Sequence, residues 1–192
     1  MRFISVLSLL LAASSFAHAE DPQVPRKAPE FVLEFPDGST KLLSSFRGKV
    51  VTLLLVHTTC PHCQHACQVF SKLYTEYGSK GYQPIAVAWN EMAKMYVADF
   101  VKINSVNFPV AYSDRDKVLE YLNFSPMLRT VVPQILWIDK KGMIRSQTPA
   151  IGDEKLLQET YWRQMIETLT AEPDGKKSAR AATHQVAHAG TK

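Results

Sequence analysis

The sequence predicts an α/β domain whose central β-sheet is mixed, carries helices on both faces and is preceded by a β-hairpin. Two continuous apolar runs, VVTLLLV at 50–56 and YQPIAVAW at 82–89, have the composition of strands buried on both sides. Residues 61–77 between them show apolar side chains at helical spacing, and two strands joined by a helix lie parallel. Later in the chain, QILWI and MIRSQ surround the turn DKKG, which predicts an antiparallel pair in the same sheet.

The first half of the domain follows from local signals. FVLEFPDGSTKLL, residues 31–43, places two apolar runs around Pro-Asp-Gly, and this turn signal predicts the hairpin. After the strand at 50–56, Pro61 fits the first turn of a helix that Gly78 ends. The strand at 82–89 then completes a strand, helix and strand unit.

The second half alternates short helices and strands. Residues 92–103 predict a helix with Met92, Met95, Tyr96 and Phe100 in the core, because these large apolar side chains recur at helical spacing. The remaining predicted elements are a strand in FPVAYSD, a helix at 116–122, the antiparallel pair and a last helix at 153–169.

The amino-terminal end has the pattern of a secretory signal peptide at residues 1–19. Arg2 supplies the positive charge, residues 3–13 form the apolar region, and Ala-His-Ala at 17–19 is a small-x-small cleavage site. The apolar region is shorter than the roughly 20 residues that a membrane span requires. We therefore expect export to the periplasm or the exterior, with no stable membrane insertion after cleavage.

Three further segments follow the predicted cleavage site. Residues 20–27 are an extended, proline-rich lead, and residues 28–172 form the single folded domain. Residues 173–192, PDGKKSARAATHQVAHAGTK, contain no aromatic residue and too little apolar surface to offset the entropy of ordering. They are predicted to be a disordered basic tail.

The charged residues argue against a nucleic-acid-binding protein, and the cysteines argue against a disulfide-stapled secreted scaffold. The net charge of +4 comes from basic residues that are scattered and not interleaved with aromatic ones, so nucleic-acid binding is not expected. All three cysteines lie in HTTCPHCQHAC, residues 57–67. Disulfide-stapled secreted scaffolds use even numbers of cysteines spread along the chain, so these cysteines point to chemistry instead.

Cys60-Pro61-His62-Cys63 lies where the strand at 50–56 gives way to the helix that begins at Pro61. The free N–H groups and the dipole of the first helical turn stabilise a negative charge there, and a protonated His62 adds a second positive group. Cys60 is therefore predicted to be the attacking thiolate. Cys63, one turn further on, can close a disulfide with Cys60 and is predicted to be the resolving thiol.

A zinc site is the alternative use of this cysteine pair. Zinc requires a second pair of cysteines or histidines at motif spacing, and the predicted domain contains none. His62 and His65 could supply nitrogens, but His62 directly precedes Cys63, and adjacent helical positions point in different directions. We therefore expect neither a metal nor another cofactor.

These segments resemble the thioredoxin superfamily and, within it, periplasmic TlpA-like or redoxin-type thiol–disulfide oxidoreductases, over about residues 28–170. The resemblance rests on APEFVLEFPDGSTKLLSSFRGKVVTLLLV, on CPHC, on FPVAYSDRDKVLEYLNF and on VVPQILWIDKKGMI. It implies a thioredoxin fold in which Pro133 is cis and lies opposite the cysteine pair. Val132, before it, would offer its backbone to an extended substrate.

The chain also departs from this family pattern. Many relatives have tryptophan before the first cysteine, where this chain has Thr59, and thioredoxin has a buried acid where this chain has Leu54. The proton-relay role of that acid is therefore unassigned here. Pro-His between the cysteines resembles strongly oxidising members, whereas the other segments resemble reducing ones, so the direction of electron flow stays open.

Cys67 lies four residues after Cys63, one helical turn further along the same face. A small buried core residue is the first interpretation, since cysteine is among the most buried residue types. A third redox thiol that exchanges with Cys63 is the alternative. Parallel Cβ vectors make a disulfide at this spacing difficult to form.

The sequence thus predicts an exported oxidoreductase that acts on protein thiols or disulfides, with a membrane-bound electron donor or acceptor as a further expected partner. A peroxiredoxin-type thiol peroxidase is the alternative enzyme. That family has threonine three residues before its reactive cysteine, where this chain has His57. A binding module without catalysis is a third possibility, and the intact cysteine pair argues against it.

Overall fold

The computed structural model describes residues 23–173. The predicted signal peptide, residues 1–19, and residues 174–192 of the predicted tail lie outside this range. Within the described residues, no helix combines the length and the apolar character that crossing a membrane requires.

Residues 23–173 form eight strands and four α-helices. The strands are β1 Arg26–Lys27, β2 Val32–Glu34, β3 Thr40–Leu42, β4 Val50–Val56, β5 Tyr82–Ala88, β6 Val110–Tyr112, β7 Gln134–Ile138 and β8 Met143–Gln147. The helices are α1 Pro61–Tyr77, α2 Ala93–Ile103, α3 Arg115–Leu122 and α4 Glu159–Ala171. Short 3₁₀ turns lie at Leu43–Phe46, Gly78–Lys80 and Lys155–Leu157.

All eight strands join one mixed sheet in the order β1-β8-β7-β4-β5-β6-β2-β3. The central strands β4, β5 and β6 are parallel, and β7 runs antiparallel to β4 and to β8. The hairpin of β2 and β3 extends the sheet by pairing antiparallel with β6. The predicted mixed sheet with an amino-terminal hairpin is confirmed.

The alternating side chains of β4 divide the core into two clusters, one on each face of the sheet. Val50, Leu54 and Val56 pack with buried residues of α1, α2 and α4, whereas Leu53 and Leu55 pack with α3 and the hairpin. Every residue of β4 is buried, as expected for a central strand with helices on both sides. The prediction of helices on both faces is therefore confirmed.

The prediction for the buried face of α2 is wrong in three of its four residues. Met92, Met95 and Tyr96 are 59%, 66% and 45% exposed. Both faces of this helix satisfy helical spacing, so the periodicity alone does not select the buried face. The buried residues of α2 are Ala93, Val97 and Phe100.

The last predicted helix, 153–169, is divided in the structure. A 3₁₀ turn at Lys155–Leu157 ends at Gln158, whose backbone is extended, and α4 begins after it. The Asp153 carboxylate accepts the backbone N–H of Lys155 at 2.8 Å and that of Leu156 at 3.4 Å. This is the bonding pattern of a helix N-cap, so Asp153 starts the 3₁₀ turn, and the extended backbone of Gln158 separates that turn from α4.

Candidate active site

The cysteine pair lies at the edge of the sheet where β4 ends. Cys60 is the N-cap of α1, with an extended backbone, and Pro61 occupies the first helical turn. Cys60 and Cys63 are 3.4 Å apart and are free cysteines in the structure. Cys60 is partly exposed, whereas Cys63 is 0% exposed, so a protein substrate can reach only the first sulfur directly.

The segment before β7 faces Cys60. The peptide bond between Val132 and Pro133 is cis, and the Val132 carbonyl oxygen lies 3.9 Å from Cys60 Sγ. Val132 is half-buried and Pro133 is buried. The structure therefore has the cis bond and the closeness to the cysteine pair that the family resemblance implies.

The environment of Cys63 favours its protonated form. Burial strongly raises the pKa of the Cys63 thiol, because the thiolate would lose its hydration. The backbone N–H of His57 donates to Cys63 Sγ at 3.5 Å, which partly opposes this effect. Cys63 is thus a thiol that needs a proton acceptor before it can attack a disulfide.

Cys67 is buried in the core, as the first interpretation predicted. It is 0% exposed and packs in the cluster between α1 and the sheet. Burial raises the pKa of its thiol to about 12, so it is not a thiolate at neutral pH.

The sequence analysis missed Asn90 and Gln64. Through Thr58, these two residues connect the ends of β4 and β5 to α1. The Asn90 amide oxygen accepts the N–H of Thr58 at 2.9 Å and the Thr58 hydroxyl at 3.2 Å. Gln64 Nε2 then donates to the Thr58 carbonyl oxygen at 2.9 Å. Asn90 could have been found by its position just after β5, because the carboxyl ends of parallel strands meet at one edge of a sheet.

The histidines of this region differ in environment. His62 and His65 are exposed on the first turns of α1. His57 is half-buried, and its ring packs edge-on against Trp89, with ring centroids 4.5 Å apart. Within residues 23–173, no group of three or more histidine, cysteine or acidic side chains is arranged to hold a metal ion.

Comparison with known sequences places the chain in one family. The Redoxin family model matches residues 23–155. The thiol-disulfide oxidoreductase ResA of Geobacillus thermodenitrificans is 30% identical over 151 residues, which cover 76% of this chain and 83% of that protein. The Bacillus subtilis ResA is 32% identical over 127 residues, covering 66% and 70%.

Solved structures share the fold. A thiol:disulfide interchange protein of the thioredoxin family from Chlorobium tepidum superposes with a TM-score of 0.64 at 19% identity, over 78% of this chain and 99% of that one. A thiol:disulfide interchange protein from Bacteroides gives 0.63 at 16% identity, over 82% and 96%. The chain has a thioredoxin fold, belongs to the Redoxin family and is a thioredoxin-like thiol–disulfide oxidoreductase.

Proposed function

We propose that this protein is an exported oxidoreductase that uses Cys60 and Cys63 as its redox couple to oxidise or reduce cysteines of other proteins. One observation carries the proposal. A partly exposed Cys60 at the start of a helix lies 3.4 Å from a buried Cys63 and 3.9 Å from the backbone oxygen of Val132. In this arrangement the Cys60 sulfur is open to a substrate. The buried Cys63 sulfur remains available to resolve the mixed disulfide that forms.

In the reducing direction, the Cys60 thiolate attacks a substrate disulfide and forms a mixed disulfide, and one substrate thiolate leaves. Cys63 then loses its proton and attacks the Cys60 sulfur, and the bond between Cys60 and the substrate breaks. The substrate gains two electrons and two protons, and the protein retains a disulfide between Cys60 and Cys63. The oxidising direction runs through the same intermediate in reverse.

The neighbouring residues serve this exchange in distinct ways. Pro61 lies in the first turn of α1, and the free N–H groups and dipole of this turn favour negative charge at Cys60. A protonated His62 adds positive charge beside that sulfur. Val132 offers its backbone to an extended substrate, and Pro133 orients that backbone.

Export and the domain boundaries are part of the same proposal. Residues 1–19 direct the chain to the periplasm or the exterior, residues 20–27 are the lead, and residues 173–192 are the basic tail of the domain at 28–172. The partners are protein thiols or disulfides, and a membrane-bound donor or acceptor resets the couple. Outside the cytoplasm, such a couple needs a dedicated partner to restore it.

The experiment that tests this function compares disulfide exchange with peroxide reduction. We expect the purified domain to accelerate exchange with a model protein disulfide such as insulin and to turn over little hydrogen peroxide. Paired cysteines support exchange, and His57 stands where a peroxidase has threonine. Rapid peroxide reduction that survives Cys63→Ser would identify the protein as a peroxiredoxin-type peroxidase instead.

His62→Ala should make the couple more reducing. A protonated imidazole beside Cys60 stabilises the thiolate, which exists only in the reduced protein, and stabilising the reduced form raises the reduction potential. A tenfold change in this stabilisation corresponds to about 30 mV for a two-electron couple, so the potential should fall by tens of millivolts. Equilibration of each protein in glutathione buffers at fixed pH measures the change.

His65→Ala is the matched control for this measurement. His65 is also exposed on α1 but lies outside the segment between the two cysteines. Its substitution should leave the potential unchanged. A potential for His62→Ala that is equal to or above that of the natural protein would contradict the role assigned to His62.

A further inference from the structure

The residue that contacts Cys60 from the segment before β7 has an unpaired backbone N–H. The Val132 carbonyl oxygen lies 3.9 Å from Cys60 Sγ. Among residues 23–173, the Val132 N–H has no hydrogen-bond partner, and Pro133 has no N–H to donate. Backbone groups left unpaired by their own chain bond to water or to a ligand. Whether an extended substrate can pair with this N–H depends on the direction in which it points.

Gln134 ties this segment to the one that follows β8. It is the first residue of β7 and is 0% exposed. Its Nε2 donates to the Val131 carbonyl oxygen at 2.9 Å and to the Pro149 carbonyl oxygen at 3.1 Å. The Val131 N–H donates in turn to the Ala150 carbonyl oxygen at 2.9 Å. Residue 131 is therefore held at both of its backbone polar groups.

The two carbonyl oxygens fix the orientation of the Gln134 amide. Both are acceptors only, so the NH₂ group of the side chain, and not its oxygen, must face them. Oε1 is left buried and without a hydrogen-bond partner among residues 23–173. An unpaired buried acceptor lowers the stability of the fold. A contribution to stability alone therefore does not account for glutamine at this position.

The bond to Val131 also orients the N–H of the next residue. The Val131 carbonyl and the Val132 N–H belong to one planar peptide unit, which is trans, so they point in opposite directions. Because the carbonyl points to the buried Gln134 amide, the Val132 N–H points away from that amide. A hydrogen bond at the carbonyl also polarises the peptide unit, which makes its N–H a better donor.

We propose that Gln134 is a positioning residue for protein substrates. It holds the peptide plane between Val131 and Val132, so that the Val132 N–H can donate to a backbone carbonyl of an extended chain whose cysteine reacts at Cys60. Gln134 acts through Val132 and not on the sulfurs. The proposal rests on the proposed function, in which Val132 offers its backbone to the substrate.

Gln134→Met tests this role with two reagents, because methionine has a similar size but no donor. One reagent is a pair of linear peptides joined by a disulfide, and the other is dithiobis(nitrobenzoate), which has no peptide backbone. The second-order rate constant for the peptide disulfide should fall about 3- to 10-fold, the effect of one hydrogen bond. The rate constant for dithiobis(nitrobenzoate) should change by less than about twofold, because its attack on Cys60 needs no backbone pairing.

Gln147→Met is the matched control. Gln147 is a buried glutamine of β8 whose Nε2 donates to the Leu122 carbonyl oxygen at 2.8 Å and whose Oε1 accepts from Arg26 Nη2 at 2.8 Å. Its substitution removes an equivalent donor that does not contact residues 131–133. The loss of stability should be no smaller than in Gln134→Met, but the ratio of the two rate constants should keep its natural value.

Hydrogen exchange tests the same geometry without any change at residue 134. In Cys63→Ser, the mixed disulfide between Cys60 and a linear cysteine peptide cannot be resolved by residue 63. Exchange of the Val132 amide proton with solvent, followed by NMR, should be at least about tenfold slower in this mixed disulfide than in the free protein. The bound chain would then accept the hydrogen bond that the free protein leaves unmade.

The outcomes that would overturn the assignment differ from those that would overturn the proposed function. A natural ratio of rate constants in Gln134→Met, or an equal fall of that ratio in Gln147→Met, would show that Gln134 does not position the substrate. An unprotected Val132 amide in the mixed disulfide would show the same. If the natural protein itself did not reduce the peptide disulfide, the proposed function would be wrong, and this inference would fail with it.

Discussion

Cys60→Ser should reduce the rate of disulfide exchange on the order of 10³-fold or more, the loss expected when an enzyme's nucleophile is removed. Serine retains the size of the side chain, but its hydroxyl is not ionised at neutral pH. Cys63 cannot replace Cys60, since it is fully buried and burial raises its pKa. Single-turnover reduction of a model disulfide measures the loss.

Cys67→Ala is the matched control for this substitution. It removes a thiol from the same helix, but that thiol is buried and protonated at neutral pH. Exchange should stay within a few fold of the natural rate. Equal losses from the two substitutions would show that Cys67 takes part in the exchange and would contradict its assignment to the core.

Phe70→Ala should lower the free energy of unfolding by about 3–5 kcal/mol, the usual cost of removing a buried aromatic side chain. Phe70 is fully buried in α1 and stacks on Trp162 of α4, with ring centroids 4.5 Å apart and planes at 27°. It also packs against Trp137 of β7, at 6.0 Å. The substitution would leave a cavity between two helices and the sheet. Denaturant unfolding measures the change.

Met95→Ala provides the contrast. Met95 has a comparable apolar side chain at a helical position, but it is 66% exposed. Its removal should change the free energy of unfolding by no more than about 0.5 kcal/mol. A loss comparable to that of Phe70→Ala would mean that this face of α2 is covered by other atoms and would contradict the burial described above.

Much of the fold could be predicted because the strongest signals are local. The predicted bounds of β4 and α1 agree with the structure, since a run of branched apolar residues and a proline at the first helical turn leave little freedom. The buried face of α2 could not be predicted. Two faces satisfied the same periodicity, and only the packing of the helix on the sheet selects between them.

The residues of the candidate site also include some that the sequence predicted and some that it did not. Cys60, Cys63 and Pro133 were predicted because cysteine spacing and an X–Pro bond before a strand are readable in the sequence and in the family resemblance. The neighbours Asn90 and Trp89 were not. Their contacts with residues 57 and 58 depend on how two strands meet at one edge of the sheet, which no short sequence window contains.

The order of the strands also limits how readily the sheet can pair with the backbone of another chain. The two outermost strands of the sheet, β1 and β3, have only two and three residues, whereas the longest strands are central. Long exposed edge strands template aggregation by pairing with foreign backbone, and short edges limit it. An oxidoreductase that acts on protein thiols or disulfides would meet this hazard with any partner that exposes extended backbone. In the proposed function, the backbone of Val132 beside Cys60 binds a substrate chain briefly, while the short outer strands offer that chain little backbone to pair with.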